Sequence, residues 1–302
     1  MALHLLFRRG FKKLTDEFSR FHPVVNIIFY MVVLIITMFQ MQQVMVIIST
    51  VCAIIYHIYL KKQKSVKFCI MAFFIFTASA VINPLFSHKG ATLLFYMFTG
   101  NPVTLESIVY GVFAALVIVA MIFWLSTFNE IMTEDKILAL IGAIMPSVAL
   151  LLTMIFRFVS KFTKKIKEIS MTHKALKGEP EGFFNKIKSS LHIFSITITW
   201  ALENSVDTAD SMTARGYGCA KRTNYNNYRI EKRDILLSLW MIMLFGVVIS
   251  RWVAGDLYTY YYPFVRTKGQ IMVYVAYILL CVTPMAVNIL EGIRWRRLKS
   301  KI

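Results

Sequence analysis

Seven apolar runs of about 15 to 22 residues recur along the chain and constrain its fold more than any other feature. A helix crosses the hydrocarbon core of a bilayer with roughly 20 such residues. A soluble domain would have to bury all seven runs in one globule, so we expect an all-α fold of polytopic membrane helices. The runs are residues 24–39, 44–60, 68–82, 108–128, 137–158, 235–253 and 271–290.

Basic residues are concentrated in five clusters, and the chain carries a net charge of +18. Because Lys and Arg accumulate in cytoplasmic loops, all five clusters and both termini are predicted to lie in the cytoplasm. The charged first 21 residues lack the cleavage site of a removable secretory signal. Since the charge flanks membrane spans, it predicts no nucleic-acid partner. The clusters are residues 8–13, 61–67, 157–188, 221–233 and 294–301.

Patterns typical of catalytic, metal-binding and nucleotide-binding sites are missing from the sequence. The six His residues form no H-x-x-x-H or H-E-x-x-H pair, and the four Cys residues have no C-x-x-C spacing. The phosphate-binding loop G-x-x-x-x-G-K-[ST] is absent as well. The chain is therefore predicted to be no enzyme, to bind no metal and to hold no cofactor of its own.

A polar, basic segment at residues 158–234 interrupts the apolar runs. It divides the chain into N-terminal membrane helices (1–157), a cytoplasmic region (158–234) and C-terminal membrane helices (235–302). Within the segment, apolar residues recur mostly every three or four positions on both sides of the sequence Gly-Glu-Pro-Glu-Gly at 178–182, which predicts two amphipathic helices. The glycines and the proline are expected to end the first helix.

Each predicted amphipathic helix ends in a basic residue followed by glycine: Lys177-Gly178 in the first, and Ala214-Arg215-Gly216 in the second. One interpretation is a simple helix terminus, since the helix dipole favours an exposed cation there by about 0.3 to 1 kcal/mol and glycine supplies the cap. The repetition favours a second interpretation, in which the helices present two basic prongs to partner proteins. These five residues are the predicted partner-binding site.

The number of membrane crossings is left open by the charge pattern. The basic clusters at 61–67 and 157–188 can both be cytoplasmic only if an even number of crossings separates them, yet three apolar runs lie between. Either residues 92–98 contribute a short crossing or re-entrant piece, or residues 130–136 turn within the membrane interface.

The chain resembles a known family at several points in order. Residues 205–218, which contain Ser-Met-Thr-Ala-Arg-Gly-Tyr-Gly at 211–218, resemble the coupling motif of the transmembrane T component of energy-coupling factor (ECF) transporters, the family that includes the cobalt-transport permease CbiQ. Residues 83–95, beginning Asn-Pro-Leu-Phe, resemble a loop of the same family. Further similarity at Thr104-Leu105-Glu106, Pro146 and Arg157 extends the resemblance over about residues 22–297.

The resemblance implies a coupling subunit of an ATP-driven uptake transporter in a prokaryotic cell membrane. Such a subunit joins two cytoplasmic ABC-type ATPase subunits, which bind the ATP, to a membrane S component that binds the substrate. Residues 158–234 would then hold the coupling helices. The family commonly carries Arg in both prongs, whereas the first here carries Lys177. The transported substrate is left open between vitamins and cobalt or nickel ions.

Two other functions remain as alternatives at this point. A membrane-embedded enzyme would need acid, base or metal-binding groups facing one another within the membrane, and the sequence shows no such constellation. A stand-alone secondary transporter would show two related halves, and no internal repeat is visible.

Overall fold

The computed structural model describes residues 17–61, 65–87, 90–96, 102–178, 182–219 and 228–299. In these residues the backbone forms nine α-helices and two short antiparallel β-hairpins, which confirms the predicted all-α fold class. The helices are α1 (Pro23–Phe39), α2 (Gln43–Lys61), α3 (Ser65–Phe86), α4 (Leu105–Ile131), α5 (Glu134–Ile144), α6 (Pro146–Lys177), α7 (Phe183–Ala214), α8 (Lys232–Val253) and α9 (Ile271–Lys299). The strands are β1 (Leu93–Tyr96), β2 (Pro102–Thr104), β3 (Tyr258–Tyr260) and β4 (Arg266–Lys268).

The helices separate into two compact units. One unit, here called the bundle, contains α1–α4, α8 and α9 with both β-hairpins. The other, here called the helical hairpin, contains α5, α6 and α7. The bundle is therefore made of two separate parts of the sequence, and the residues of the helical hairpin lie between these parts in the sequence.

Six helices in the described part of the chain are long and apolar enough to cross a membrane: α2, α3, α4, α6, α8 and α9. Helix α1 is apolar too, but with 17 residues it lies at the lower limit for a crossing. The chain is therefore a multi-pass membrane protein.

The apolar run at residues 137–158 was expected to form one span, and this expectation is wrong. The run is divided between α5 and α6 by Met145, whose φ of −135° and ψ of 83° are not helical. The cause is Pro146, because the ring of a proline disfavours helical backbone at the residue before it while suiting the first position of a new helix.

Residues 92–98 were also expected as a possible short crossing or re-entrant piece. The described residues of this stretch do not form one. Leu93–Tyr96 is strand β1, which pairs with β2 and directly precedes α4. Four residues in a strand span only about 13 Å, far less than the hydrocarbon core. The described residues 92–96 therefore make no extra crossing between α3 and α4, and residues 97 and 98 of the expected piece lie outside the described residues.

The centre of the bundle is an aromatic cluster around Trp124 of α4, which is completely buried. Its ring contacts Phe29 and Tyr30 of α1 edge-on, with ring centroids 5.6 and 6.3 Å away, and Tyr56 of α2 at 6.3 Å. The indole nitrogen donates a hydrogen bond to the Ser49 hydroxyl at 3.1 Å. Trp124 thus holds three helices together through both packing and a polar contact.

The bundle has one end formed by loops and strands, here called the strand end. The turn between α1 and α2 is fixed there, since Tyr261 donates to the Met41 carbonyl at 2.7 Å and Gln42 donates to the Lys268 carbonyl at 2.8 Å. Burial raises the pKa of the Tyr261 phenol to about 12, so this donor keeps its proton at neutral pH. At the opposite end, Lys61 of α2 donates to Ser126 of α4 at 2.9 Å.

The same strand end contains a buried carboxylate. Glu106, in the first turn of α4, is 2% exposed and accepts a hydrogen bond of 2.6 Å from the Thr92 hydroxyl. The adjacent amide of Ala91 donates to the Pro263 carbonyl at 3.3 Å, which joins this loop to the segment between β3 and β4. Glu106 therefore fixes the connection between α3 and α4 through its hydrogen bond with Thr92.

Candidate functional site

Both predicted amphipathic helices are present, and each is 32 residues long. Helix α6 ends at Lys177, where Gly178 takes a φ of 73° that favours glycine. Helix α7 begins after Gly182, whose φ is 83°, and ends at Ala214. The predicted end of the first amphipathic helix at the glycine is thus confirmed.

Helices α6 and α7 pack antiparallel, with contacts between residues 161–173 of α6 and residues 189–204 of α7. Near the middle, Phe162 of α6 meets Trp200 of α7 edge-on at 5.6 Å, and the Lys165 ammonium lies 5.8 Å from the centre of the same indole ring. Toward the end of α6, His173 lies 3.2 Å from the Ser189 hydroxyl. A residue late in α6 therefore faces a residue early in α7.

The end of α7 is a helix cap of the Schellman type. The Gly216 amide donates to the Thr213 carbonyl at 2.9 Å, and the Tyr217 amide donates to the Met212 carbonyl at 3.0 Å. This pairing needs a left-handed residue at position 216, and Gly216 supplies it with a φ of 77°. The glycine of the Ala-Arg-Gly sequence is thus required by the backbone.

Arg215 is the capping residue itself, with φ −84° and ψ 8°. Its side chain is exposed, and in the part of the chain that the structure describes no acidic side chain forms an ion pair with it. The cap fixes the backbone of Arg215 while leaving the guanidinium accessible. This arrangement suits a cation that binds another molecule.

Lys177 occupies a related but different position at the other tip. It is the last residue of α6, and Gly178 after it is the capping residue, whose amide donates to the Lys174 carbonyl at 2.9 Å. Lys177 is exposed, as is Ala214 at the end of α7. Both tips therefore present an exposed basic residue at a glycine-containing helix end.

The two tips lie at opposite ends of the helical hairpin rather than together. Lys177 and Asn185 line the same cleft, which places Lys177 beside the beginning of α7. From there to Arg215 is about 30 residues of helix, or roughly 45 Å at 1.5 Å per residue. The five predicted site residues thus lie at two separate places on the helical hairpin.

The contacts that hold the helical hairpin together were not predicted from the sequence. Trp200 and Phe162 are 38 positions apart, and His173 and His192, whose ring centroids are 5.4 Å apart, are separated by 19. No local spacing rule pairs them. Only the antiparallel alignment of two long helices joined by a short turn could have shown that they meet.

The family model for CbiQ, described as cobalt transport protein, matches residues 18–225. This is 208 of the 302 residues, from the start of the bundle through the whole helical hairpin and both basic tips. None of the curated proteins that were compared matches the chain. Together with the multi-pass helical fold, the match over two thirds of its length shows that the chain belongs to the CbiQ family of cobalt transport proteins.

Proposed function

We propose that this chain is the transmembrane coupling subunit of an ATP-driven ECF-type uptake transporter. The two basic tips, at Lys177-Gly178 and Ala214-Arg215-Gly216, would each bind a groove on one of two cytoplasmic ABC-type ATPase subunits, which bind the ATP. The observation that carries the proposal is the distance of roughly 45 Å between the tips along α7. It allows two separate proteins to be held at once by one rigid helical hairpin.

The chemistry of the tips supports this assignment. An arginine that becomes desolvated against carboxylates in an interface is a typical hot spot, and its truncation costs roughly 2 kcal/mol or more. Lys177 keeps the positive charge but lacks the planar guanidinium that binds a carboxylate through two hydrogen bonds. We therefore assign the stronger contact to Arg215 and the weaker one to Lys177.

The exposed surface of α7 supports a second partner. Apolar residues recur every three or four positions on this helix, and the largest are 60% to 85% exposed: Phe184, Leu191, Phe194, Leu202 and Val206. Such a continuous apolar stripe marks an interaction surface. We assign it to the membrane S component, whose apolar exterior would cover it.

The topology that fits this function has six crossings, made by α1–α4, α8 and α9, with both termini in the cytoplasm. Helix α6 is left out because its second half packs against α7, which carries Glu203, Asp207 and Asp210. A crossing by this pair of helices would place these carboxylates in lipid. Only α3 and α4 then separate the basic clusters at 61–67 and 157–188. The number of crossings between these two clusters is then even, as the positive-inside rule requires.

This topology predicts opposite labelling of the two ends of the molecule. In a Cys219→Ser background, which removes the exposed native cysteine, Tyr260→Cys at the strand end should react with a membrane-impermeant maleimide in intact spheroplasts. Lys164→Cys in α6 should react only after the membrane is opened. Labelling of the α6 position in intact spheroplasts would contradict the topology.

The proposed function is tested by assembly and uptake. The tagged chain, coexpressed with the ATPase and S-component genes of the same organism, should copurify with both kinds of subunit. The reconstituted complex should accumulate substrate only with ATP. The name of the family makes Co²⁺ the first substrate to test, followed by Ni²⁺ and vitamins.

Uptake by the chain alone, without ATPase subunits, would instead support a stand-alone secondary transporter. Conversion of a substrate by the chain alone would support a membrane-embedded enzyme. The family is one of transport proteins, which favours a transport component over an enzyme.

A further inference from the structure

An apolar stripe runs along α6 beside its contact with α7. Its side chains recur at intervals of three, four, four and seven residues, which places them on one face of the helix. They are 38% to 57% exposed: Val148, Leu151, Ile155, Val159 and Ile166. Within the described part of the chain no residue of α6 is buried. This face, here called the α6 stripe, is therefore open to another molecule.

Lysines border the α6 stripe on the side away from α7. At 3.6 residues per turn, Lys167 and Lys174 lie roughly 80° to 100° around the helix from Ile166. Lys164 and Arg157 lie on the opposite side of the helix, at roughly 160° to 180° from Ile166. From Arg157 to its end, α6 carries seven basic residues and one acidic residue. An apolar face bordered by lysines is typical of a helix that lies in the surface of a membrane.

We propose that the α6 stripe lies on the cytoplasmic surface of the bilayer and that the lysines beside it bind the headgroups of anionic phospholipids. The apolar side chains enter the boundary between headgroups and acyl chains. The flexible stems of Lys167 and Lys174 allow their ammonium groups to reach the lipid phosphates. This surface lies on α6, whereas the one assigned to the S component lies on α7. The proposal does not depend on ATPase binding.

Charge favours a lipid surface over a second copy of the chain. A second copy would bring the same lysines to the same stripe, and the net charge of +18 makes the two copies repel. An anionic leaflet instead attracts each lysine near it. The six helices long enough to cross a membrane also place the chain in lipid. Finally, residues 146–156 of α6 carry no charge, so the helix passes from an apolar segment into a basic one, as expected at a membrane surface.

The test measures whether lipid covers the α6 stripe. In the Cys219→Ser background, Ile166→Cys or Lys164→Cys is labelled with the environment-sensitive fluorophore nitrobenzoxadiazole. The full chain is placed in lipid nanodiscs that hold one chain each, so neither a second copy nor a partner subunit can cover the label. In discs of phosphatidylcholine and phosphatidylglycerol, the label at 166 should fluoresce as in an apolar environment and the label at 164 as in water. In discs of phosphatidylcholine alone, the fluorescence at 166 should fall.

Removing the charge beside the α6 stripe should weaken the attachment. Each lysine near an anionic surface strengthens binding about fivefold. Lys167→Gln combined with Lys174→Gln should therefore lower the ratio of lipid-bound to free α6 about 25-fold, and more phosphatidylglycerol should be needed for the same fluorescence at 166. Arg157→Gln combined with Lys164→Gln is the matched control, since it removes the same charge from the opposite side. It should shift the required phosphatidylglycerol much less.

Three results would each overturn the proposal. The first is a label at 166 that stays in water in discs with phosphatidylglycerol, including one that becomes covered only when a disc holds two chains. The second is fluorescence at 166 that does not change with the phosphatidylglycerol content. The third is an equal effect of the two double variants. All four substituted residues are exposed, so the variants should keep the fold of the helical hairpin.

Discussion

Replacing Arg215 by glutamate is expected to abolish the association with ATPase subunits. Truncation of such an arginine alone costs roughly 2 kcal/mol, about a thirtyfold loss of affinity, and the reversed charge adds repulsion from the acidic groove. The backbone of the cap is made by Gly216 and does not depend on the Arg215 side chain. We therefore expect unchanged membrane insertion, with ATPase subunits lost from the copurified complex and no ATP-driven uptake.

Lys164→Glu is the matched control for this experiment. It makes the same change of charge on an exposed residue of the helical hairpin, roughly 20 Å or more from both tips. Its association with the ATPases should stay near that of the unaltered chain, while Lys177→Glu should weaken it less than Arg215→Glu. If Arg215→Glu still bound the ATPase subunits, or if Lys164→Glu lost as much ATPase binding as Arg215→Glu, the two basic tips would not be the sites that bind the ATPases.

Replacing Trp124 by alanine is expected to give the largest loss of stability. The change removes a fully buried ring that contacts three aromatic side chains and leaves a cavity between α1, α2 and α4. Substitutions of this kind cost about 3 to 5 kcal/mol. In a chain of this size that corresponds to a fall in apparent melting temperature on the order of 10 °C, measured by fluorescence or by monodispersity after heating.

Trp124→Phe separates packing from hydrogen bonding in the same position. It keeps most of the ring but loses the hydrogen bond to Ser49, at a cost of roughly 1 kcal/mol. Ser49→Ala should cost more, because the Ser49 hydroxyl also forms a hydrogen bond of 2.8 Å with the Thr37 hydroxyl. If Trp124→Ala melted at the temperature of the unaltered chain, Trp124 would not be the packing centre of the bundle.

The sequence predicted best what depends on local chemistry. Gly178 marks the end of α6 because few other residues adopt its backbone conformation, and this end was placed correctly. Pro146 predicts a break at Met145, but residues 137–158 were still counted as one span because the hydropathy on both sides of the proline is continuous. Strand β1 carries no alternation of polar and apolar residues, so its four residues could not be distinguished from a short apolar helix.

The spatial arrangement of the candidate site residues was harder to predict from the sequence than the identity of those residues. Arg215 and Lys177 were both predicted as site residues from their positions before glycine, but the distance between them follows only from the antiparallel packing shown by the contact of Phe162 with Trp200. The sequence shows two helices with a short connection, which favours antiparallel packing. It does not show which side chains meet, because packing between helices is fixed by three-dimensional fit rather than by a repeating pattern.

The place of Trp200 on α7 has a mechanical consequence. It lies 15 residues before Arg215 and 14 residues after Lys186, so its contact with Phe162 divides α7 into two arms of about equal length. In the proposed coupling function, a tilt of α7 by about 10° around this contact would displace each end of the helix by roughly 4 Å, in opposite directions. Movement of an ATPase subunit at one tip would then reach the other tip with about the same amplitude.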